Sequence, residues 1–227
     1  MEFTYYGHAC FALHAEGKTI LIDPFISGNP LAAQINIDAI QADYILVSHG
    51  HADHIADLEQ IALRTGALVI SAYEIHEWLN NKGISHTHPM NTGGAHQFGP
   101  FNIKCTVAQH SSCLPDGTYG GNPMGFLIQT AHHSVYYSGD TALTLDMQII
   151  PRWAKLNAAI LPVGDNFTMG YQDACLAAQW CGAPKTIGVH FDTFPPICIN
   201  HTDAIEYFKQ HNTELILPQI GQTFSIN

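Results

Sequence analysis

His49-Gly50-His51-Ala52-Asp53-His54 sets four potential metal ligands within six residues. The apolar run Tyr44-Ile45-Leu46-Val47 precedes it, and a helix-like stretch from Ile55 to Leu63 follows. That order predicts a strand ending just before His49 and a helix starting near Asp53, which is itself a candidate N-cap. Ligands in the turn beyond a strand can diverge, so one short segment can serve two neighbouring cations. Neutral imidazoles with a carboxylate suit zinc best, and also manganese, iron or nickel.

Three further candidates occupy the same kind of place. His110 ends the run Ile103–Gln109, Asp140 follows Ser134–Gly139, and His190 follows Thr186–Val189. Each run is β-branched or aromatic and reads as a strand. In open α/β sheets, sites collect beyond the carboxyl ends of strands. A lone histidine after a strand is more often a satisfied surface residue. His110 and His190 gain meaning because the first cluster needs partners.

Composition narrows the classes. The chain has 227 residues, 46% hydrophobic and 12% charged. At that length folding buries roughly 70% of the unfolded surface, so no disulfide staple is required. The formal net charge is −11, with only 8 Lys and Arg. That argues against a nucleic-acid partner, because phosphate backbones are held by clustered cations. No apolar run approaches membrane-spanning length, and the N-terminus shows no secretory signal. The spacing of the 6 Cys matches no zinc ribbon or Cys-x-x-Cys motif. Reduced thiols, no structural disulfide and a cytoplasmic location are the expectation.

The segments around Ala15-Glu16-Gly17-Lys18 and Ala131-His132-His133 read as hairpins. Helical patterns fall near 55–64, 73–81, 171–181 and 202–211, with Thr202 or Asp203 as the last cap. Further strands fall near 68–71, 158–162 and 214–217. The pattern divides loosely into halves, 1–95 and 96–227, each with antiparallel strands first and strand–helix alternation after. Two sheets packed face to face are the natural reading.

His-x-His-x-Asp-His followed by a distant His, Asp and His resembles the metallo-β-lactamase superfamily. Within it the chain is most similar to the UPF0173 metal-dependent hydrolases, relatives of the ascorbate-6-phosphate lactonases. Gly7-His8-Ala9-Cys10-Phe11, Leu21-Ile22-Asp23-Pro24-Phe25, Met90-Asn91-Thr92-Gly93-Gly94, Leu161 to Gly170 and His190 to Pro195 carry the likeness over essentially the whole chain. The resemblance implies one metallo-hydrolase domain over 1–227. It implies an αββα four-layer sandwich of two mixed sheets, helices outside, with metals at one edge. It implies two divalent ions: His49, His51 and His110 hold one, Asp53, His54 and His190 hold the other, and Asp140 bridges. A metal-bridging hydroxide would attack a small substrate, anionic ones included: a lactone, a carboxylic ester or a phosphodiester. Asp53, Asp140 and His8 form the expected catalytic set, with His8 placed to act on substrate. Asp23 is expected to support the ligands. Asp165, Asn166 and Thr168 resemble a loop that faces the site. His86-Thr87-His88 matches no motif and stays outside it. Ser111 beside His110 has the wrong geometry for a nucleophile–base pair.

Rival readings remain. A nuclease of the same superfamily would want a basic surface. An oxygen-handling di-iron relative would carry an acidic residue in the first motif and a flavin domain. A non-catalytic metal-binding or regulatory protein would keep the fold alone. Homo-oligomerisation is left open.

Overall fold

The structure is a computed structural model describing residues 1–227. The first strands run β1 (Glu2–Gly7), β2 (Cys10–Ala15), β3 (Lys18–Ile22) and β4 (Tyr44–Leu46), followed by α1 (Ala52–Ile55) and α2 (Leu58–Thr65). Then come β5 (Leu68–Ala72), α3 (Tyr73–Asn81) and β6 (Thr87–Met90). The second set runs β7 (Ala95–Phe98), β8 (Phe101–Val107), β9 (Met124–Gln129), β10 (Ser134–Tyr137) and β11 (Ala158–Pro162). It finishes with α4 (Tyr171–Trp180), β12 (Lys185–Val189), α5 (His201–Gln210), β13 (Glu214–Ile216) and β14 (Thr223–Ser225).

These elements make two seven-stranded sheets, ordered β14-β1-β2-β3-β4-β5-β6 and β13-β12-β11-β10-β9-β8-β7. Both are mixed: β3 to β6 and β10 to β13 are parallel, the remaining neighbours antiparallel. Helix α3 packs on β5 and β6 of one sheet, and α4 and α5 pack on β11 to β13 of the other. This is the expected αββα sandwich. One cluster of 61 buried hydrophobic residues joins both sheets. Strand β1 alternates, burying Phe3, Tyr5 and Gly7, because one face meets the core. Strand β11, Ala-Ala-Ile-Leu-Pro, is buried at every position, as a strand covered on both faces must be.

Both predicted hairpins form. The first turns through Glu16 and Gly17, whose φ values of 52° and 75° suit a two-residue turn matched to strand twist. The halves part between β6 and β7 as expected, with one exception. Strand β14 leaves the second half and pairs with β1, Glu2 opposite Ser225. It covers an edge that would otherwise be open. The cap of α5 also differs: Asn200, not Thr202 or Asp203, accepts from the backbone N–H groups of both those residues. The six cysteines are unpaired. No helix is long and apolar enough to cross a membrane.

The strand directions have one consequence for the site. β1, β3 and β4 run the same way in one sheet, as do β8, β10, β11 and β12 in the other. The residues after their carboxyl ends, from His8 to His190, therefore gather along one edge of the sandwich.

Candidate metal centre

Every residue proposed as a ligand reaches this edge. Side-chain donor atoms of His49, His51 and His110 lie within 4.8 Å of one another. So do those of Asp53, His54 and His190, joined by His8. Asp140 sits between the groups. Its Oδ2 lies 3.0 Å from His190 Nε2, 3.2 Å from His54 Nε2, 3.7 Å from His110 Nε2 and 4.0 Å from His49 Nε2. Gly139, at φ 63°, delivers Asp140 to this point. A Cβ there would sit 2.5 Å from the Met124 carbonyl oxygen, so the turn before Asp140 admits only glycine.

Asp53 does not cap α1. His51 is the N-cap and makes no side-chain cap bond, while Asp53 lies in the first turn. Its carboxylate faces His8 instead, with His8 Nε2 3.2 Å from Asp53 Oδ2. Cluster chemistry has displaced capping at this helix start.

Asp23 organises two of the proposed ligands from behind. Its Oδ2 accepts from His54 Nδ1 at 3.0 Å, from Ser48 Oγ at 2.6 Å and from the Tyr137 hydroxyl at 2.6 Å. Its Oδ1 accepts from Ser48 N at 2.7 Å. Because the Ser48 hydroxyl donates to Asp23, it accepts from His49 Nδ1, 3.0 Å away. Both imidazoles then carry a proton on Nδ1 and turn Nε2 toward Asp140, where a bound cation would displace any proton from that nitrogen. This is how carboxylates behind metal-bound histidines set the tautomer. Ser48 and Tyr137 were not apparent in the sequence. Both look there like ordinary strand-end and core residues.

Electrostatics fit a cation site. Burial pulls the pKa of His49 well below that of free imidazole, and lowers those of His51 and His110. Burial opposes charge on His54 too, but Asp140 and Asp23 hold its pKa well above the usual range. Burial likewise resists ionisation of Asp140, yet His190 and His54 keep its pKa well below the carboxylate range. His54 Nε2 is nonetheless buried without a hydrogen-bond partner. His49 Nε2 and His51 Nδ1 lie 2.9 Å apart. Nitrogens converging on one point beside an unpartnered buried nitrogen are the arrangement a metal ion completes, so these residues fit the expected ions.

His8 sits directly beside the cluster. Its side chain has no exposure, and it is wedged between Phe25 and Phe194, with ring centroids 5.4 Å away in each case. Its Nδ1 meets Thr193 Oγ1 at 3.0 Å. It meets the cluster at Asp53 and at His190, whose ring centroid is 4.1 Å away, and it also lines a neighbouring hollow of about 410 Å³. His8 and His190, with φ of 54° and 56°, are tied by a bond of 2.8 Å from His190 N to His8 O.

A cleft of about 300 Å³ opens over the cluster. His51, Asp53, His110, Asp140 and His190 form its floor, and Ser111 and Phe167 its remaining wall. Ser111 Oγ lies 3.3 Å from His51 Nε2, pairing with that histidine and not with adjacent His110. In the loop expected to face the site it is Phe167, between Asn166 and Thr168, that lines the cleft. An aromatic flanked by polar turn residues was the available signal. His86 and His88, on or beside β6, join none of the ligand groups. Larger hollows of about 500 Å³ beside α3 and about 410 Å³ behind His8 hold none of the seven proposed ligands.

Comparison with known proteins gives the family and the fold. The model of the β-lactamase superfamily domain matches residues 18–191. A UPF0173 metal-dependent hydrolase of Flavobacterium johnsoniae is 48% identical over 226 residues, covering 100% of both chains. Another from Christiangramia forsetii is 44% identical over 227 residues with the same coverage. Among solved structures, Igni18, a metallo hydrolase of Ignicoccus hospitalis, superposes with a TM-score of 0.88 at 30% identity, covering 100% of this chain and 99% of that one. An isothiocyanate hydrolase from Delia radicum gut bacteria shares the fold, with a TM-score of 0.80 at 19% identity, over 99% of this chain and 98% of its own. The chain belongs to the β-lactamase superfamily and, within it, to the UPF0173 family, and it is a metal-dependent hydrolase.

Proposed function

We propose that the protein hydrolyses a small ester-like substrate, a lactone or carboxylic ester, at a centre for two divalent metals, zinc by preference. The observation that carries this reading is the position of Asp140. One buried carboxylate oxygen stands within 4.0 Å of imidazole nitrogens from both ligand groups. One tetrahedral ion needs about four ligands, and seven converge here. Held by these residues, two ions would supply Lewis-acid chemistry and would make water more acidic near neutral pH.

The chain's own residues prepare that chemistry. Asp23 and Ser48 hold His54 and His49 in one tautomer. Burial disfavours charge on Asp53, but the bond from His8 and the proximity of His54 hold its pKa below the usual carboxylate range. It stays an anion able to bind a cation. His8 acts as a positioning residue behind Asp53. The side chains of His110 and Asp53, 14% and 30% exposed, form the accessible side of the cluster. Hydrolysis joins a water oxygen to the acyl carbon, breaks the acyl–oxygen bond, and returns a proton to the leaving oxygen.

The deciding experiment couples metal content to turnover. Chelation should abolish hydrolysis of simple lactones and esters, and stoichiometric zinc should restore it. A fully metallated protein that hydrolyses no ester or lactone would overturn this substrate class.

A further inference from the structure

We infer that the cleft selects an uncharged ester or lactone carrying a small apolar substituent, and that Phe167 is the residue on which this substituent lies. This rests on the hydrolase reading above and narrows it.

Charge is the first ground. None of the chain's 8 Lys and Arg lines the cleft. Anionic head groups, phosphate above all, are recognised by guanidinium or ammonium donors. Two divalent ions, offset by Asp53, Asp140 and a hydroxide, leave only about one positive charge at the centre. The Asp53 carboxylate is 30% exposed in the cleft, and the whole chain carries −11. An anionic substituent would find no Lys or Arg partner on the walls of the cleft.

The second ground is how Phe167 is presented. Exposed apolar side chains occur elsewhere on the chain, Leu145 and Leu63 among them, so exposure alone says little. Phe167, 53% exposed, differs because a constrained turn holds it over the cluster. Asp165 and Asn166 take φ values of 63° and 54°. A bridge between Gly164 and Gly170 closes the loop, and Asp165 N donates to Met169 O at 3.1 Å. Met169 is 1% exposed and anchors the loop from beneath. Its N–H donates to Thr141 O at 3.0 Å, next to Asp140, while Thr141 Oγ1 accepts from Gln109 N, next to His110. The loop is thus bolted to segments carrying two proposed ligands. Asp and Asn are the non-glycine residues that take left-handed backbone most readily, so this sequence favours the tight turn that sets Phe167 on the cleft wall. A cleft of about 300 Å³ is at the small end for ligand pockets, so the substituent is short.

The test uses the full chain reconstituted with zinc, as wild type, Phe167→Ala and Phe167→Leu. Substrates are γ-valerolactone, γ-hexalactone and γ-heptalactone, which differ by one methylene, with the 5-oxotetrahydrofuran-2-carboxylate anion as charged control. Water adds to the carbonyl carbon, the ring acyl–oxygen bond opens to a hydroxy acid, and the released proton is read with an indicator. In wild type kcat/KM should rise about two- to fourfold per methylene. Phe167→Ala should flatten that slope, Phe167→Leu should keep part of it, and the anion should be at least about tenfold poorer. Metal content and melting should match wild type in both variants. An unchanged slope in Phe167→Ala, or faster hydrolysis of the anion, overturns the inference while leaving the hydrolase reading intact. Loss of metal or fold in both variants makes Phe167 a structural residue and overturns it as well. No hydrolysis by metallated wild type, of these lactones or of ethyl esters, removes the ester-hydrolase reading on which the inference rests.

Discussion

Asp23 Oδ2 lies 3.0 Å from His54 Nδ1, with both side chains fully buried. The carboxylate also takes the Tyr137 and Ser48 hydroxyls, so one group aims two imidazoles without entering the cleft. Asp23→Asn should weaken metal binding about 10- to 100-fold, because the amide cannot accept from every donor that converges there. Chelator competition measures this. Affinity equal to wild type would show that packing alone orients His54.

Two divalent metals are expected per chain. His51→Ala should lose mainly one and His54→Ala mainly the other, since their side chains fall in different ligand groups. Elemental analysis at saturating supply reads the count directly. A ceiling of one metal would falsify the two-ion centre.

Asp140→Asn should damage activity far more than folding once metal is supplied. The amide keeps the shape but loses the charge that faces four imidazole nitrogens. A loss of about 100-fold or more in kcat is expected for a group that stabilises charge at the reacting centre. Circular dichroism should be little altered. Full turnover by the variant would remove Asp140 from the chemistry.

His8→Ala should loosen Asp53 and leave a gap between Phe25 and Phe194. The expected result is weaker binding of the metal held by Asp53, His54 and His190, by about 10-fold or more, with partial rescue by His8→Gln. If both metals bind as in wild type and only kcat falls, His8 acts on the substrate after all.

Tyr137 predicts an alkaline effect. Burial, then the charges of Asp23 and Asp140, push its hydroxyl well above the ordinary tyrosine pKa of 10.0. The folded chain keeps the proton there while the unfolded chain releases it, so its stability contribution is complete below pH 10.0 and falls as pH rises toward the folded value. Tyr137→Phe should reduce the slope of unfolding free energy against pH above that point by up to about 1.4 kcal/mol per pH unit. It should also cost about 1.5–3 kcal/mol near neutrality through the lost bond to a carboxylate. Denaturant melts at several pH values test both, and an identical alkaline slope in the two proteins would refute the first.

The proposed ligands were legible because metal binding demands particular side chains, and those side chains are scarce at strand ends. Four of them crowd into His49–His54, and the resemblance places His110, Asp140 and His190 without reference to coordinates. Hairpins and helices were legible because they follow from local periodicity and turn chemistry, whereas the sandwich came from the resemblance. The tertiary structure decided what depends on distance through space. It turned Asp53 from a helix cap into a partner of His8, and buried His8 away from the cleft. It brought Tyr137 onto Asp23, 114 residues distant. It sent β14 back to β1, and it put Phe167 on the cleft wall where Asp165, Asn166 and Thr168 were expected. A hydrogen bond or a cleft wall is specified by the packing of segments remote in sequence, and no local pattern encodes it.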